Sequence, residues 1–411
     1  MKPKIKQHKK IAYILSQFPE THETFILREI IELEKNDIDL TLFSLKKCRD
    51  KIIHPQAQKF LLRTHYSSLF TTKTLFSVLY YIWNYPIRFI ELCIHLIKYN
   101  YVSFEYLIKS FAILPISLHY ARLIHSRGVQ HIHAHWATIP TTSAIIISKI
   151  LGIPFSFTAH AWDIFLKNPM LKEKVRLAEF VVTCTGYNKE YLDSLLHYHH
   201  DEKIIKNYHG IDFDTVPKVH KNTQENLIFS IGRLCEQKGF PYLIEAIAIL
   251  KKWGHSFICK IVGEGPGRKA LTEQIAELGL QAEVELCGIK PHSFIFDLFN
   301  QARMFVLPCV ISRNGDRDGI PNVMIEALAM YTPVISTNVS GIPEIIKDGD
   351  TGITVEPRNS EKLAKAILYL YEHPELYRII TDNGRKLVEK EFDVKKNVKE
   401  LVTIFFEKAH L

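Results

Sequence analysis

The sequence predicts an α/β protein of two domains, each a run of parallel strands with helices between them. Three observations carry this reading. Short apolar runs alternate with longer stretches of helical period, which marks strands buried on both faces, and the series occurs twice. Between the two series, residues 216–226 are polar and aperiodic, as a linker between domains would be. The chain has 411 residues, 47% hydrophobic and 23% charged. That is enough apolar material for two cores, and it excludes a disordered or low-complexity chain.

The elements follow in order. Ile11–Leu15 reads as a strand, Thr21–Lys35 as a helix and Asp39–Phe43 as a strand. A basic, apolar, helical stretch covers residues 46–130. Then come strands near Gln130–Ala134, Pro154–Thr158 and Phe180–Thr183, with a helix at Ile139–Leu151. A helix near Asn188–His197 and a strand near Lys203–Lys206 end the first series. The second series opens with strands at Leu227–Ile231, Phe257–Val262 and Val284–Leu286, separated by helices near Tyr242–Lys251 and Arg268–Leu278. It continues with strands at Met304–Leu307, Val334–Ser336 and Ile353–Val355, and helices near Ser293–Asn300, Asn322–Ala329, Glu361–Tyr371 and Pro374–Lys390. The boundaries expected are a first domain over 1–215, a linker over 216–226 and a second domain over 227–392. The last helix, within 393–411, is expected to pack back on the first domain.

Charge is uneven. The net charge is +8, yet residues 1–220 carry +9 and residues 46–130 alone carry +9. Beside large apolar residues such as Tyr80, Tyr81, Trp83 and Phe89, this excess points to an anionic membrane surface. Pro86, Arg88 and Glu91 break the apolar runs, so a spanning helix is not expected. No nucleic-acid reading module is evident. The basic N-terminus (Lys2, Lys4, Lys6, Lys9, Lys10) is followed by too short an apolar run for a signal peptide. Seven scattered cysteines without a CxxC pair read as reduced thiols. The expected location is the cytoplasm, peripheral at the inner face of the plasma membrane.

The segment Asp316–Glu344 carries most of the chemistry. Gly319 allows an unusual loop, and Pro321 suits the first turn of a helix. Free amides around Asn322, Val323 and Met324, at the positive end of that helix, make a phosphate site. Glu326, a turn further in, would reach sugar hydroxyls attached to that phosphate. Arg233 and Lys238, after the strand ending Ser230-Ile231-Gly232, are two cations able to stabilise a leaving pyrophosphate. Val262-Gly263-Glu264-Gly265-Pro266-Gly267 follows a strand and opens a helix, without a full dinucleotide fingerprint.

This pattern resembles the retaining, nucleotide-sugar-dependent glycosyltransferases with the two-domain GT-B fold, of the glycosyltransferase family 4 type. Two acids with seven residues between them (Asp318 and Glu326), Thr332-Pro333-Val334-Ile335-Ser336-Thr337 and Gly341-Ile342-Pro343-Glu344 stand as that family has them. Asp318 departs from the family's Glu. The opening Phe18-Pro19…Glu23-Thr24-Phe25 resembles the exopolysaccharide, colanic-acid-type branch. The resemblance implies two Rossmann-like domains facing each other across a donor cleft. It implies Arg233, Lys238, His160 and Asp318 as catalytic groups. Glu326, Gly319, Ile320, Pro321, Asn322, Val323, Glu264 and Lys290 are implied on the donor, and Thr24 and Asp163 on the acceptor. The partners implied are a nucleoside diphosphate sugar and a lipid-linked oligosaccharide. Neither the alternating His131, His133 and His135 nor Asp316-Arg317-Asp318 is expected to hold a metal, and no cofactor is expected. The rival readings are a UDP-sugar 2-epimerase of the same fold and a non-catalytic scaffold in a polysaccharide assembly complex.

Overall fold

The computed structural model describes residues 9–20, 23–36, 38–48, 54–196 and 202–409. Lys2, Lys4, Lys6, Thr21, Arg49, Lys51 and His197 lie outside them. The chain divides into two compact units. One comprises the residues up to Cys184, Asn188–Tyr208 and the chain from Val394 on; the other comprises Thr185–Tyr187 and His209–Asp393.

The first unit holds a parallel sheet of β1 (Lys10–Phe18), β2 (Asp39–Lys47), β3 (Thr64–Tyr66), β4 (His131–His135), β5 (Phe155–Ala159), β6 (Val181–Thr183) and β7 (Ile204–Lys206). Their order is β3-β2-β1-β4-β5-β6-β7. Ile11, Ala12, Tyr13 and Ile14 are all buried, so β1 is covered on both faces, as parallel strands require. Strand β3 falls inside the stretch expected to be helical only. The long helices of that stretch are Thr72–Asn84, Pro86–Asn100 and Phe104–Arg127. By length and hydropathy Phe104–Arg127 would suffice to cross a bilayer, but half of that window is buried within the unit. The Tyr120 hydroxyl donates to the Ser44 carbonyl at 2.7 Å, and Ser117 and Ser143 share a hydrogen bond at 2.8 Å.

The final helix, Val394–Lys408, lies in the core of this first unit. Phe405 is fully buried, with Tyr13, His131, His133 and Phe180 around its ring at 5.1–6.5 Å. The three alternating histidines are therefore core residues. His131 shares a hydrogen bond with Ser156 at 2.6 Å, His133 with Ser156 and Thr158 at 2.7 and 2.9 Å, and His135 with Glu29 at 3.0 Å. Glu29, His133 and His135 bring ligand atoms within 4.8 Å of one another. Those atoms are already engaged, Glu29 also accepting the Tyr13 hydroxyl at 2.7 Å.

The second unit holds β8 (Gln224–Ile231), β9 (Ile258–Val262), β10 (Val284–Gly288), β11 (Ala302–Leu307), β12 (Val334–Thr337) and β13 (Ile353–Val355), in the order β10-β9-β8-β11-β12-β13, all parallel. The expected linker 216–226 is part of it. Gln224–Asn226 open β8, and Lys221 Nζ donates to the Phe299 carbonyl at 2.7 Å and to Thr332 Oγ1 at 2.8 Å. Burial draws the Lys221 ammonium down to about 7. Polarity marked this segment as a linker, but its lysine is anchored. The unit's long segment starts at His209, and the Ile211 amide donates to the Phe392 carbonyl at 2.9 Å.

A buried and a half-buried histidine make the first unit sensitive to acid. Burial lowers His131 to about 3. Burial, then the Lys149 charge, lowers His95 to about 4. Unfolded, each takes a proton near 6.5, while in the fold each stays neutral. Their contribution is thus present above about 6.5 and is lost as the pH falls toward 4 and 3. The unfolding free energy from urea denaturation should decline from pH 7 to pH 4.5, by up to about 1.4 kcal/mol per pH unit for each histidine. His131→Gln should flatten that decline; an unchanged slope would remove His131 from the account.

Candidate functional site

In an open parallel sheet, a ligand crevice forms where neighbouring strands send their connections in opposite directions. In the second unit these strands are β8, which leads to β9 on one side, and β11, which leads to β12 on the other. The loop after β8 holds Arg233 and Lys238. The loop after β11 holds Asp316–Pro321 and leads into the helix Asn322–Ala329.

Lys238 joins the two loops. Its Nζ lies 2.9 and 3.0 Å from the two oxygens of Asp318. Its side chain is only 14% exposed. Burial works against the charge, yet the facing Asp318 outweighs it and holds the ammonium above its ordinary pKa. The approach depends on Gly239, which has φ +67° and whose Cβ, if it had one, would stand 1.8 Å from the Pro308 carbonyl oxygen. Asp316 accepts from Gln237 Nε2 at 2.9 Å, and burial and the Asp318 charge raise its pKa. Both acids of Asp316-Arg317-Asp318 thus have partners from the loop after β8. Arg233 is exposed on that same loop.

Gly319 and Ile320 form the bend before the helix. Pro321 is the N-cap rather than a residue of the first turn, with ψ 123°. The Met324 amide donates to the Pro321 carbonyl at 2.9 Å. This leaves Asn322 and Val323 as the first two helical residues, whose amides an α-helix does not pair. Glu326 is buried one turn in, 3.8 Å from His292 Nε2. His292 begins the helix His292–Gln301 and was not legible as a site residue, because nothing in its own segment singles it out. Glu264 is engaged with Arg268 at 2.7 Å, which ties the glycine turn after β9 to its helix. Lys290, after β10, stands over the Phe294 ring at 5.1 Å. Glu344 accepts the amides of Gly186 and Tyr187 at 2.9 and 3.1 Å, holding Thr185–Tyr187 in this unit.

The first unit has its own switch point between β1 and β4. Here the His160 ring meets Trp136 at 4.2 Å and Phe25 at 5.0 Å. Trp136 has φ +78°, a left-handed conformation costing a side-chain-bearing residue about 1–2 kcal/mol. Its amide donates to the Thr158 carbonyl at 3.0 Å. Thr24 begins the helix Thr24–Lys35 and is partly exposed. Beside it, burial and then the Glu20 charge push the Glu23 carboxyl up to about 8. The sequence shows Glu23 but not that it is half-buried.

Asp163 corrects an expectation. It is buried, and its carboxylate accepts the His160 amide at 2.8 Å and the Ala137 amide. Burial raises it to about 6 despite these bonds. Lys174, also buried, donates to the carbonyls of Ala137 and Thr138 at 2.7 and 2.8 Å. Burial brings Lys174 down to about 7, with Asp163 opposing the fall. Asp163 holds the loops after β4 and β5 instead of presenting its oxygens to an acceptor. Asp163→Asn replaces one acceptor by a donor and leaves an amide unpaired. It should cost about 1–3 kcal/mol of stability by urea denaturation; wild-type stability would return Asp163 to the ligand-facing set.

Similarity to known proteins agrees with this geometry. The chain is 32% identical to the putative colanic acid biosynthesis glycosyltransferase WcaL of Salmonella typhimurium over 49% of this chain and 51% of the relative. It is 36% identical to the amylovoran biosynthesis glycosyltransferase AmsK of Erwinia amylovora over 40% of this chain and 41% of the relative. The chain thus spans about half the length, or less, of these curated relatives. A glycosyltransferase from Rickettsia africae superposes with a TM-score of 0.70 at 18% identity, over 98% of both chains. Anabaena HepE in complex with UDP and glucose superposes with a TM-score of 0.69 at 16% identity, over 97% of this chain and 99% of that one. The fold is the GT-B fold, two parallel-sheet α/β Rossmann-like domains. Residues 212–387, which hold Lys238, Asp318 and Glu326, match the family glycosyl transferases group 1.

Proposed function

We propose that the chain is a retaining glycosyltransferase. It moves a hexose from a nucleoside diphosphate sugar to a lipid-linked oligosaccharide in exopolysaccharide, capsule or lipopolysaccharide biosynthesis. The observation that carries this is the second unit's switch point, where a caged cation, an acid and an open helix N-terminus follow adjacent strands. The relatives named for colanic acid and amylovoran biosynthesis support the polysaccharide class. The HepE structure with UDP and glucose supports the donor class.

In this reading the bond between the anomeric carbon and the diphosphate oxygen breaks, and negative charge grows on the leaving diphosphate. Arg233, Lys238 and the amides of Asn322 and Val323 stabilise it. The acceptor hydroxyl bonds to the anomeric carbon on the same face, and its proton passes to the leaving phosphate oxygen. Asp318 keeps Lys238 in place and accepts from a hydroxyl of the donor sugar. Glu326 accepts ribose hydroxyls, while Glu264 and Lys290 flank the base. In the first unit Thr24 and His160 are offered to sugar hydroxyls. No metal is assigned a role. The lipid-linked acceptor sets the enzyme on the cytoplasmic face of the membrane.

Arg233→Ala and Lys238→Ala should each lower turnover about 10²–10³-fold, the scale for losing one donor to developing charge. Near-wild-type turnover in both would remove the leaving-group role. Glu326→Gln should weaken UDP binding as well as transfer, since a ribose contact exists before the reaction. Unchanged affinity by calorimetry, across a panel of nucleoside diphosphates, would end the ribose assignment. EDTA should leave transfer intact; loss restored by Mn²⁺ would overturn the metal-free reading.

A further inference from the structure

The first unit carries two consecutive helices that present apolar stripes outward, unlike an ordinary water-facing surface. In Thr72–Asn84 the buried residues are Thr74, Ser77 and Tyr81. The outward ones include Leu75, Leu79, Ile82 and Trp83, the last 86% exposed. A surface helix in water does the opposite, with its apolar stripe inward. Pro86–Asn100 has two stripes. Leu92 and Leu96 face the core, while Ile87, Ile90, Ile94 and Ile97, spaced by three and four residues, are each 49–73% exposed. That spacing places them on one helical face. Only Tyr85 separates the two helices.

The geometry points to this helical pair as a membrane-inserting surface, seated in an anionic lipid leaflet with its outward apolar stripes below the headgroups. The inference deepens the membrane part of the function proposed above and rests on it, but it names a different force. Charge excess alone describes an electrostatic tether, whereas these stripes describe burial. Lys73, Arg88 and Lys98 are exposed on the same pair, against the one acid Glu91. An anionic leaflet neutralises these cations. A second copy of the same face would set them against their own like charges. Trp83 and Tyr85, at the junction, are the side chains that favour the boundary between headgroup and acyl chain. Helices of this character lie in the plane of the interface and bury their apolar face about 5–10 Å deep.

The full chain, co-sedimented with vesicles of phosphatidylglycerol and phosphatidylethanolamine, should bind at low salt and remain largely bound at high salt. Screening removes the electrostatic part and leaves the apolar part. Trp83→Ser with Ile90→Ser should weaken binding at least about tenfold, as expected when large apolar side chains no longer leave water. These residues are exposed, so the double variant should keep the wild-type Tm and the wild-type thermal shift with UDP-glucose. Complete release of the wild type by salt, or unchanged binding of the double variant, would overturn insertion. So would a concentration-dependent dimer in sedimentation velocity that the double variant abolishes, with no vesicle binding by the wild type. A missing UDP-glucose shift with vesicle binding intact would instead strike the donor reading and leave this inference standing.

Discussion

The pair between Lys238 and Asp318 is the constraint from which the second unit's chemistry follows. A lysine in a crowded crevice loses hydration, and without a partner its charge would be driven off. Asp318 prevents this, so a fixed positive charge sits at the junction of two loops. The pair forms only because the loop after β8 can press against the loop after β11, and Gly239 against Pro308 sets how closely. A methyl group at that position would collide with a carbonyl oxygen. The strand order, the glycine and the ion pair are thus one arrangement at three scales. Asp316 and Gln237 reinforce it from the side.

The first unit solves a different problem at its own switch point. Its loops carry aromatic and titratable side chains in place of a glycine-rich turn. Asp163 is spent on backbone amides, Lys174 on backbone carbonyls, and the Trp136 amide on Thr158. These buried polar groups fix the loop backbone, and a partly paired set would cost more than it returns. Packed on that set is the buried His160 ring, against Phe25 and Trp136. Rigidity here comes from buried polar pairing; in the second unit it comes from close backbone approach.

Much of this was legible in the chain. Runs such as Leu227–Ile231 and Met304–Leu307 read as buried strands because no charged residue interrupts them. The segment around Asp318 and Glu326 read as a site because its residue types and spacing are unusual together. What was not legible depended on distance in the sequence. The polar stretch 216–226 looks like a linker until Lys221 is seen between Phe299 and Thr332. Asp163 looks like a ligand-facing acid until the amides of His160 and Ala137 are placed on it. His292 gains meaning only from Glu326, which lies on another helix. Strand β3 is three residues long and too short for any period to show.

The stretch after β2 shows the same limit in another form. Counting residues finds a basic, apolar region there, and helical period finds its helices, but neither tells which stripe faces inward. In Pro86–Asn100 two apolar stripes share one helix, so the pattern by itself is consistent with a fully buried core helix. Thr72–Asn84 decides the matter, because its buried face is made of hydroxyl-bearing residues. Ser77 donates to the Lys73 carbonyl at 2.8 Å, and Thr74 closes a capping box with Thr71. The Ser77 and Thr74 hydroxyls are satisfied locally, and Tyr81 beside them enters the hydrophobic core. The remaining apolar bulk is left outside, where water opposes it and a bilayer does not. The orientation of a helix is set by which face its neighbours can accept, and here they accept the one with Thr74, Ser77 and Tyr81.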